Sequence, residues 1–510
     1  MKLFNPIVPG FHPDPSICRV GQDYYLVNST FEYFPGVPVH HSGDLVHWEL
    51  IGHCLTRPSQ LPLAGCRCSG GIYAPSIRYH DGRFYMITTN LTGGGNFVVT
   101  ATDPAGEWSE PIWIDHPGID PSLLFDDDGR VYYSGTGGPD LRGISQVELD
   151  LVTGKLLTPP RIIWTGTGGK FPEGPHLYKI DGRYYLMIAE GGTEYGHMET
   201  LARADNPWGP FEPCPRNPIL THRERMHQIQ ATGHADLFQA HDGSWWMVFL
   251  GIRHRGWAHH IGRETFLAPV VWDDAGWPVV GHNGTVDLEM DGPNWPAQPV
   301  AAHRVRDDFD SPTLSPVWNF LRNPYPADWS LTDRPGHLRL NGSAVSLSDP
   351  DSPAFVGRRQ QHWHCRAAAC LEFDPPGEGE EAGLVVLANV RYHYQLAVGR
   401  REGRRVVFVR RQMGDLRVVV ACEPIEPGPV TLAIVADEEA YHFRLAAGDA
   451  PPRELASAWT RFVAKELCGG FTGVYIGMYA TGNGRPCSAP ADFDWFDYEP
   501  LPAPPPPARP

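Results

Sequence analysis

No stretch of this chain is long and apolar enough to cross a bilayer, which takes about 20 such residues. The opening Met1-Lys2-Leu3-Phe4-Asn5-Pro6 also lacks the apolar core of a secretory leader. A cytoplasmic protein with no membrane partner is the expectation, unless a leader has been trimmed. Basic charge is scarce as well. Lys and Arg number 42 against 59 Asp and Glu, a net charge of -17, and no basic stripe interrupts that excess, so phosphate backbones are repelled and nucleic acid is excluded as a partner. Clustered cysteines are few. The ten are scattered, with only Cys66 and Cys68, and Cys365 and Cys370, close together and no second pair at zinc-ligand spacing. Reduced structural thiols are expected, and no cofactor is required.

What is abundant is turn chemistry. With 55 Gly, 51 Pro and 42% hydrophobic residues, the composition points to many short strands joined by tight turns, hence an all-β protein. Its 510 residues exceed one ordinary core, so two domains are expected.

One unit recurs: a small or polar residue, a short apolar strand, a turn that usually carries Asp-Gly, then an aromatic-rich strand. Asp14-Pro15-Ser16-Ile17 leads to Tyr24-Tyr25, and Ala74-Pro75-Ser76-Ile77 leads through Asp81-Gly82 to Phe84-Tyr85. Asp120-Pro121-Ser122-Leu123 passes Asp128-Gly129 to Tyr132-Tyr133, and Gly174-Pro175-His176-Leu177 passes Asp181-Gly182 to Tyr184-Tyr185. The fifth copy is His234-Ala235-Asp236-Leu237, with Asp242-Gly243 before Trp245-Trp246. Such spacing suits four-stranded antiparallel blades, and five copies mean a five-bladed β-propeller. Each blade's first strand then lines the axis, so Asp14, Asp120 and His234, at equivalent places, converge there with Glu173, one residue ahead of its own copy. In contrast, Asp126-Asp127-Asp128 falls at a hairpin and reads as solvated turn.

The repeat fades after Trp277-Pro278-Val279-Val280. The expected boundaries are a propeller over 1–290, a linker over 291–304, a β-sandwich of the concanavalin-like jelly-roll type over 305–500, and a mobile Pro-rich tail over 501–510. Strand-like runs at 383–388, 392–398, 406–410, 416–421, 430–436 and 441–445 mark the sandwich.

Glycosidic bonds are commonly broken by two carboxyl groups, one protonating the leaving oxygen while the other activates water or attacks the sugar. An Asp beside Pro is usually a turn residue bonded to its own backbone. Here Asp14 and Asp120 recur in register at axis-facing positions, which argues for chemistry. A non-catalytic sugar-binding propeller would present similar pockets between blades, whereas the axial residue changes from Asp to Ala, Asp, Gly and His.

The ordered set His12-Pro13-Asp14-Pro15-Ser16, Ser69-Gly70-Gly71-Ile72-Tyr73-Ala74-Pro75, Ile119-Asp120-Pro121-Ser122, Glu173-Gly174-Pro175-His176-Leu177-Tyr178, Gly233-His234-Ala235-Asp236 and Gly262-Arg263-Glu264-Thr265 resembles glycoside hydrolase family 43. The resemblance is to its branch of α-L-arabinofuranosidases and β-xylosidases with a C-terminal β-sandwich, and it runs to about residue 500. It implies an inverting enzyme with Asp14 as general base, Glu173 as general acid and Asp120 as the carboxylate that orients the acid and raises its pKa. It implies sugar contacts from Arg263 and His234. The alternatives are a surface ion pair with Glu264 for the first, and for the second a buried structural histidine or support for an axial calcium ion. Phe31 resembles a pocket wall, or is plain core. Tyr73 stands where xylosidases of the branch commonly carry Trp, which leans toward arabinofuranose over xylose. Phe471, within Cys468-Gly469-Gly470-Phe471-Thr472-Gly473, resembles a loop that covers the pocket and favours release of one terminal sugar, or is an ordinary hairpin residue. Xylose-releasing activity on xylo-oligosaccharides is the alternative reading, an oligosaccharide is the implied substrate, and a homo-oligomer is compatible with the sequence.

Overall fold

The computed structural model describes residues 1–138, 141–300, 305–448 and 451–503, so the linker residues 301–304 and the tail from 504 lie outside the described residues. The described residues form two compact units, one drawn from 1–63, 69–254 and 263–300, the other from 64–68, 255–262 and 305–503.

In the first unit each repeat becomes one antiparallel sheet, and there are five. Blade 1 is Ser16–Val20, Asp23–Val27, Gly36–Ser42 and Glu49–Leu55; blade 2 is Ser76–His80, Arg83–Asn90, Gly95–Ala101 and Ile112–Ile114. Blade 3 begins Ser122–Phe125 and Val131–Thr136, blade 4 Glu173–Ile180 and Arg183–Glu190, and blade 5 Ile229–Gln239 and Trp245–Arg253. The first strands touch one another in a closed ring, blade 1 to blade 2 and onward until blade 5 returns to blade 1. The first hairpins show why the Asp-Gly turns matter. His80 pairs with Arg83 and Ile180 with Arg183, leaving two-residue loops in which Asp81 and Gly82 (φ 47° and 77°) and Asp181 and Gly182 (φ 49° and 80°) are left-handed. That twist matches the flanking strands.

Apolar side chains meet between blades. Ile87, Val98 and Ile114 of blade 2 pack on Leu123, Tyr133 and Val147 of blade 3, and Leu177, Leu186 and Ile188 of blade 4 pack on Ile144 and Trp164. Each fully buried side chain of this size contributes about 1.5–3 kcal/mol relative to exposure. Blade 5 is held to the N-terminus, where Val8 bridges Thr265 and the Asn5 amide donates to the Leu267 carbonyl at 2.9 Å.

One turn departs from the sequence reading. Asp126 is not solvated: it is 7% exposed, accepts from the Tyr184 hydroxyl at 2.5 Å and from Lys179 Nζ at 2.6 Å, and so ties blade 3 to blade 4. Asp127 and Asp128 do face solvent.

The second unit is a sandwich. One sheet runs in the order Ala354–Arg359, Tyr475–Thr481, Glu381–Asn389, Tyr392–Arg401, Arg404–Met413, Leu416–Pro424; the other includes Ala491–Pro500, Cys365–Glu372, Val430–Ala436, Ala440–Ala447 and, at its end, Arg453–Trp459. Phe471 lies here, after the short helix Lys465–Cys468 and the left-handed Gly469 and Gly470 (φ 69° and 80°). Lys465 Nζ sits 5.8 Å from the centre of its ring.

Candidate active site

In four of the five repeats the axis-facing position is left-handed. Asp14, Asp120, Gly174 and His234 have φ of 53°, 57°, 56° and 50°, and in blades 4 and 5 the strand register slips at this point. Non-glycine residues in this region cost about 1–3 kcal/mol each and gather where function demands a side-chain direction. Gly174 has a further reason to be glycine, since an added Cβ would lie 2.9 Å from His234 Nε2.

Asp14, Asp120, His234 and Arg263 are all buried, none more than 6% exposed. Arg263 Nη1 donates to Asp14 Oδ1 at 2.6 Å, the Ser29 hydroxyl donates to Asp14 Oδ2, and His234 Nδ1 lies 3.8 Å from Asp14 Oδ1. Glu264 is paired with Arg253, at 2.7 and 2.8 Å, so Arg263 is directed to Asp14 and not to its sequence neighbour. Asp120 Oδ2 accepts from the Gly174 amide at 3.2 Å, which brings the residue after Glu173 onto Asp120.

The three carboxyls titrate apart for stated causes. Burial pushes Asp14 up, but Arg263, His234 and Ser29 outweigh it and hold the group below the ordinary carboxylate value. Asp120 is raised to about 6, by burial and then by the charge of Asp14, with His234 opposing. Glu173 is raised well above its ordinary value, first by burial and then by Asp120 and Asp14. Desolvation, more than the neighbouring charge that the sequence suggested, is what favours its proton. The arrangement sets an ionised carboxylate and a protonated carboxylic acid in one electrostatic unit.

Phe31 is buried against Phe11, with ring centres 5.9 Å apart, and against Tyr73, at 5.2 Å, and the Arg263 guanidinium lies 5.6 Å above it. Tyr73 donates its hydroxyl to the Ser69 carbonyl at 3.1 Å. Phe31 therefore lies against Arg263, and Tyr73 packs on Phe31. Phe471 belongs to the second unit. Among the described residues no three His, Cys, Asp or Glu side chains converge as metal ligands.

Several neighbours escaped the sequence reading. Asp236, two residues beyond His234, accepts from Ser16 Oγ at 2.6 Å, the Ile17 amide at 3.1 Å, Arg78 Nη1 at 2.8 Å and the Tyr178 hydroxyl at 2.7 Å. It thereby joins blades 1, 2, 4 and 5. Glu190 accepts from the amides of Thr167 and Gly169, at 2.9 and 2.8 Å, and from the hydroxyl of Thr200 at 2.8 Å, which fixes the loop leading to Glu173. A signal existed for Asp236, in the repeat position two after the axial residue, where the other copies carry Ser or His.

A propeller with an asymmetrically titrating carboxylate trio on its axis, two members buried and Glu173 half-buried, defines a class: enzymes equipped for acid–base hydrolysis. Residues 3–278 match the model of glycosyl hydrolases family 43, and residues 306–499 match the β-xylosidase C-terminal concanavalin A-like domain. The chain belongs to glycoside hydrolase family 43, and as such acts on oligosaccharide substrates. The non-reducing end alpha-L-arabinofuranosidase BoGH43B of Bacteroides ovatus is 51% identical over 502 residues, covering 97% of this chain and 94% of the relative. A β-xylosidase of Bacillus subtilis is 37% identical, covering 98% of this chain and 100% of the relative. Among solved structures, GH43B of the Bacteroides ovatus xyloglucan PUL superposes with a TM-score of 0.96 at 50% identity, covering 98% of this chain and 100% of that one. The xylan beta-1,4-xylosidase from Bacillus halodurans C-125 gives 0.93 at 37%, with the same coverage.

Proposed function

We propose that this enzyme releases single terminal α-L-arabinofuranosyl residues from plant-polysaccharide oligosaccharides, with inversion at the anomeric carbon. The observation that carries the mechanism is the divergence of the two carboxyls. Asp14, kept ionised by Arg263, His234 and Ser29, deprotonates a water that attacks the face opposite the departing oxygen. Glu173, kept protonated, gives its proton to that oxygen. Asp120 supports the acid by its charge and by its bond to the Gly174 amide. The carboxyls of the base and the acid should then lie about 6.5–9.5 Å apart, leaving room for water.

The arabinofuranose assignment is supported by the likeness to the Bacteroides ovatus arabinofuranosidase. Relatives named β-xylosidases at 37% identity favour a β-D-xylosidase activity as the second reading. Side-by-side assay on p-nitrophenyl α-L-arabinofuranoside and β-D-xyloside decides between them, the first being expected to give the larger kcat/KM. Proton NMR of the first-formed sugar tests the stereochemistry, and a retained anomer rules the mechanism out.

A further inference from the structure

The second unit carries an aromatic cavity that no step of the hydrolysis uses. Trp459, the last residue of the strand that ends the larger sheet, is 62% exposed. One face of its indole is stacked on Phe462, with ring centres 5.6 Å apart and planes within 15°. An indole braced behind and open in front keeps a large apolar face in water, which is unfavourable unless something covers it. Beside it opens a cavity of about 440 Å³, lined also by Trp363, His260, Arg255, Glu438 and Arg461. That size falls in the range of small-ligand sites. Arg255 lies 5.7 Å from the centre of the Trp363 ring and is paired with Glu438 at 2.9 Å. Both partners are partly exposed, at 42% and 38%.

The lining chemistry selects a ligand class. Cationic and anionic side chains are both present, so neither a phosphate nor a polycation is favoured over a neutral polar molecule. Indole faces take the C–H faces of sugar rings, while a guanidinium donates to, and a carboxylate accepts from, the vicinal hydroxyls at the ring edge. We propose that this cavity binds the backbone of a neutral polysaccharide, a carbohydrate site separate from the residues that cut the terminal sugar. The proposal rests on the reading that the enzyme works on plant polysaccharide.

The test is native affinity electrophoresis of the full chain in gels containing soluble arabinoxylan, xyloglucan or no polymer. Trp459→Ala and Arg461→Ala are run beside the unsubstituted protein, and each protein is also assayed on a small aryl glycoside. The expected result is retardation of the unsubstituted protein by at least one polymer, with the apparent dissociation constant raised at least about tenfold in Trp459→Ala. Trp459→Phe should restore part of the retardation, and aryl-glycoside kcat/KM should stay within about twofold throughout. Equal retardation of Trp459→Ala and the unsubstituted protein, or no retardation by either polymer, overturns the proposal. So does a change of sedimenting mass in Trp459→Ala, which would make the indole a contact between copies. An unsubstituted protein inactive on both aryl glycosides refutes the hydrolytic reading instead, leaving the retardation comparison to be judged by itself.

Discussion

Two sets of acids sit at the inner strands of the same propeller, and they differ in how many donors they are given. Asp236 accepts from a hydroxyl, an amide, a guanidinium and a phenol, and these, opposing burial, hold it far below the usual carboxylate range. Burial is also the largest influence on Asp120 and on the half-buried Glu173, but they have fewer donors, and both rise. An acid whose needs are met joins blades together. Of the two left short of donors, Asp120, at about 6, still ionises by neutral pH, while Glu173 keeps its proton there and has it to give.

The largest expected effect comes from breaking the satisfied set. Asp236→Ala strands the Arg78 guanidinium and should lower unfolding free energy by about 3–5 kcal/mol, read from denaturant curves. The linkage has a sign: because the Asp236 carboxyl is held low, the stability it contributes is intact above about pH 4 and is lost only as pH falls further. Next come Asp14→Ala and Glu173→Ala, each of which should reduce turnover by about 10²-fold or more; the melting curve should change little in Glu173→Ala, whereas Asp14→Ala removes the carboxylate to which the buried Arg263 donates and should lose stability as well. If Glu173→Ala unfolds and Asp236→Ala stays folded but inactive, the contrast between the sets is reversed. Asp126→Ala removes the acceptor of Tyr184 and should lower the melting midpoint by roughly 2 °C with turnover unchanged. The smallest change is expected from the pH profile of Asp120→Asn. Loss of a negative charge beside Glu173 lowers the pKa of the acid, so the basic limb of kcat against pH moves to lower pH; an unmoved limb means that burial alone sets Glu173.

Most of the propeller was legible because its units repeat a local signal, an Asp-Gly turn before an aromatic strand, five times over. The placing of Asp14 and Asp120 was legible from the same repetition, since equivalent register gives both the same left-handed backbone at the start of their strands. What the pattern could not show is pairing between blades. Asp126 looks like a hairpin residue until Lys179 and Tyr184, some fifty residues on, close over it. The Asp236 network is hidden for the same reason. In the sandwich, the strands Cys365–Glu372 and Ala491–Pro500 are not among the strand-like runs of the sequence. The first is rich in Ala, and the second carries acids between its aromatic residues, so neither shows the Val and Ile density that marks strands such as Val430–Ala436.

The left-handed backbone at the axis has a consequence for engineering. Asp14 and Asp120 keep φ values of 53° and 57° that glycine adopts freely and alanine resists. Silencing the enzyme with Asp14→Gly should therefore leave a protein more heat-resistant than silencing it with Asp14→Ala, by about 1 kcal/mol. Two equally dead variants would differ in melting midpoint, and that gap measures what the scaffold gives up in order to aim one carboxylate.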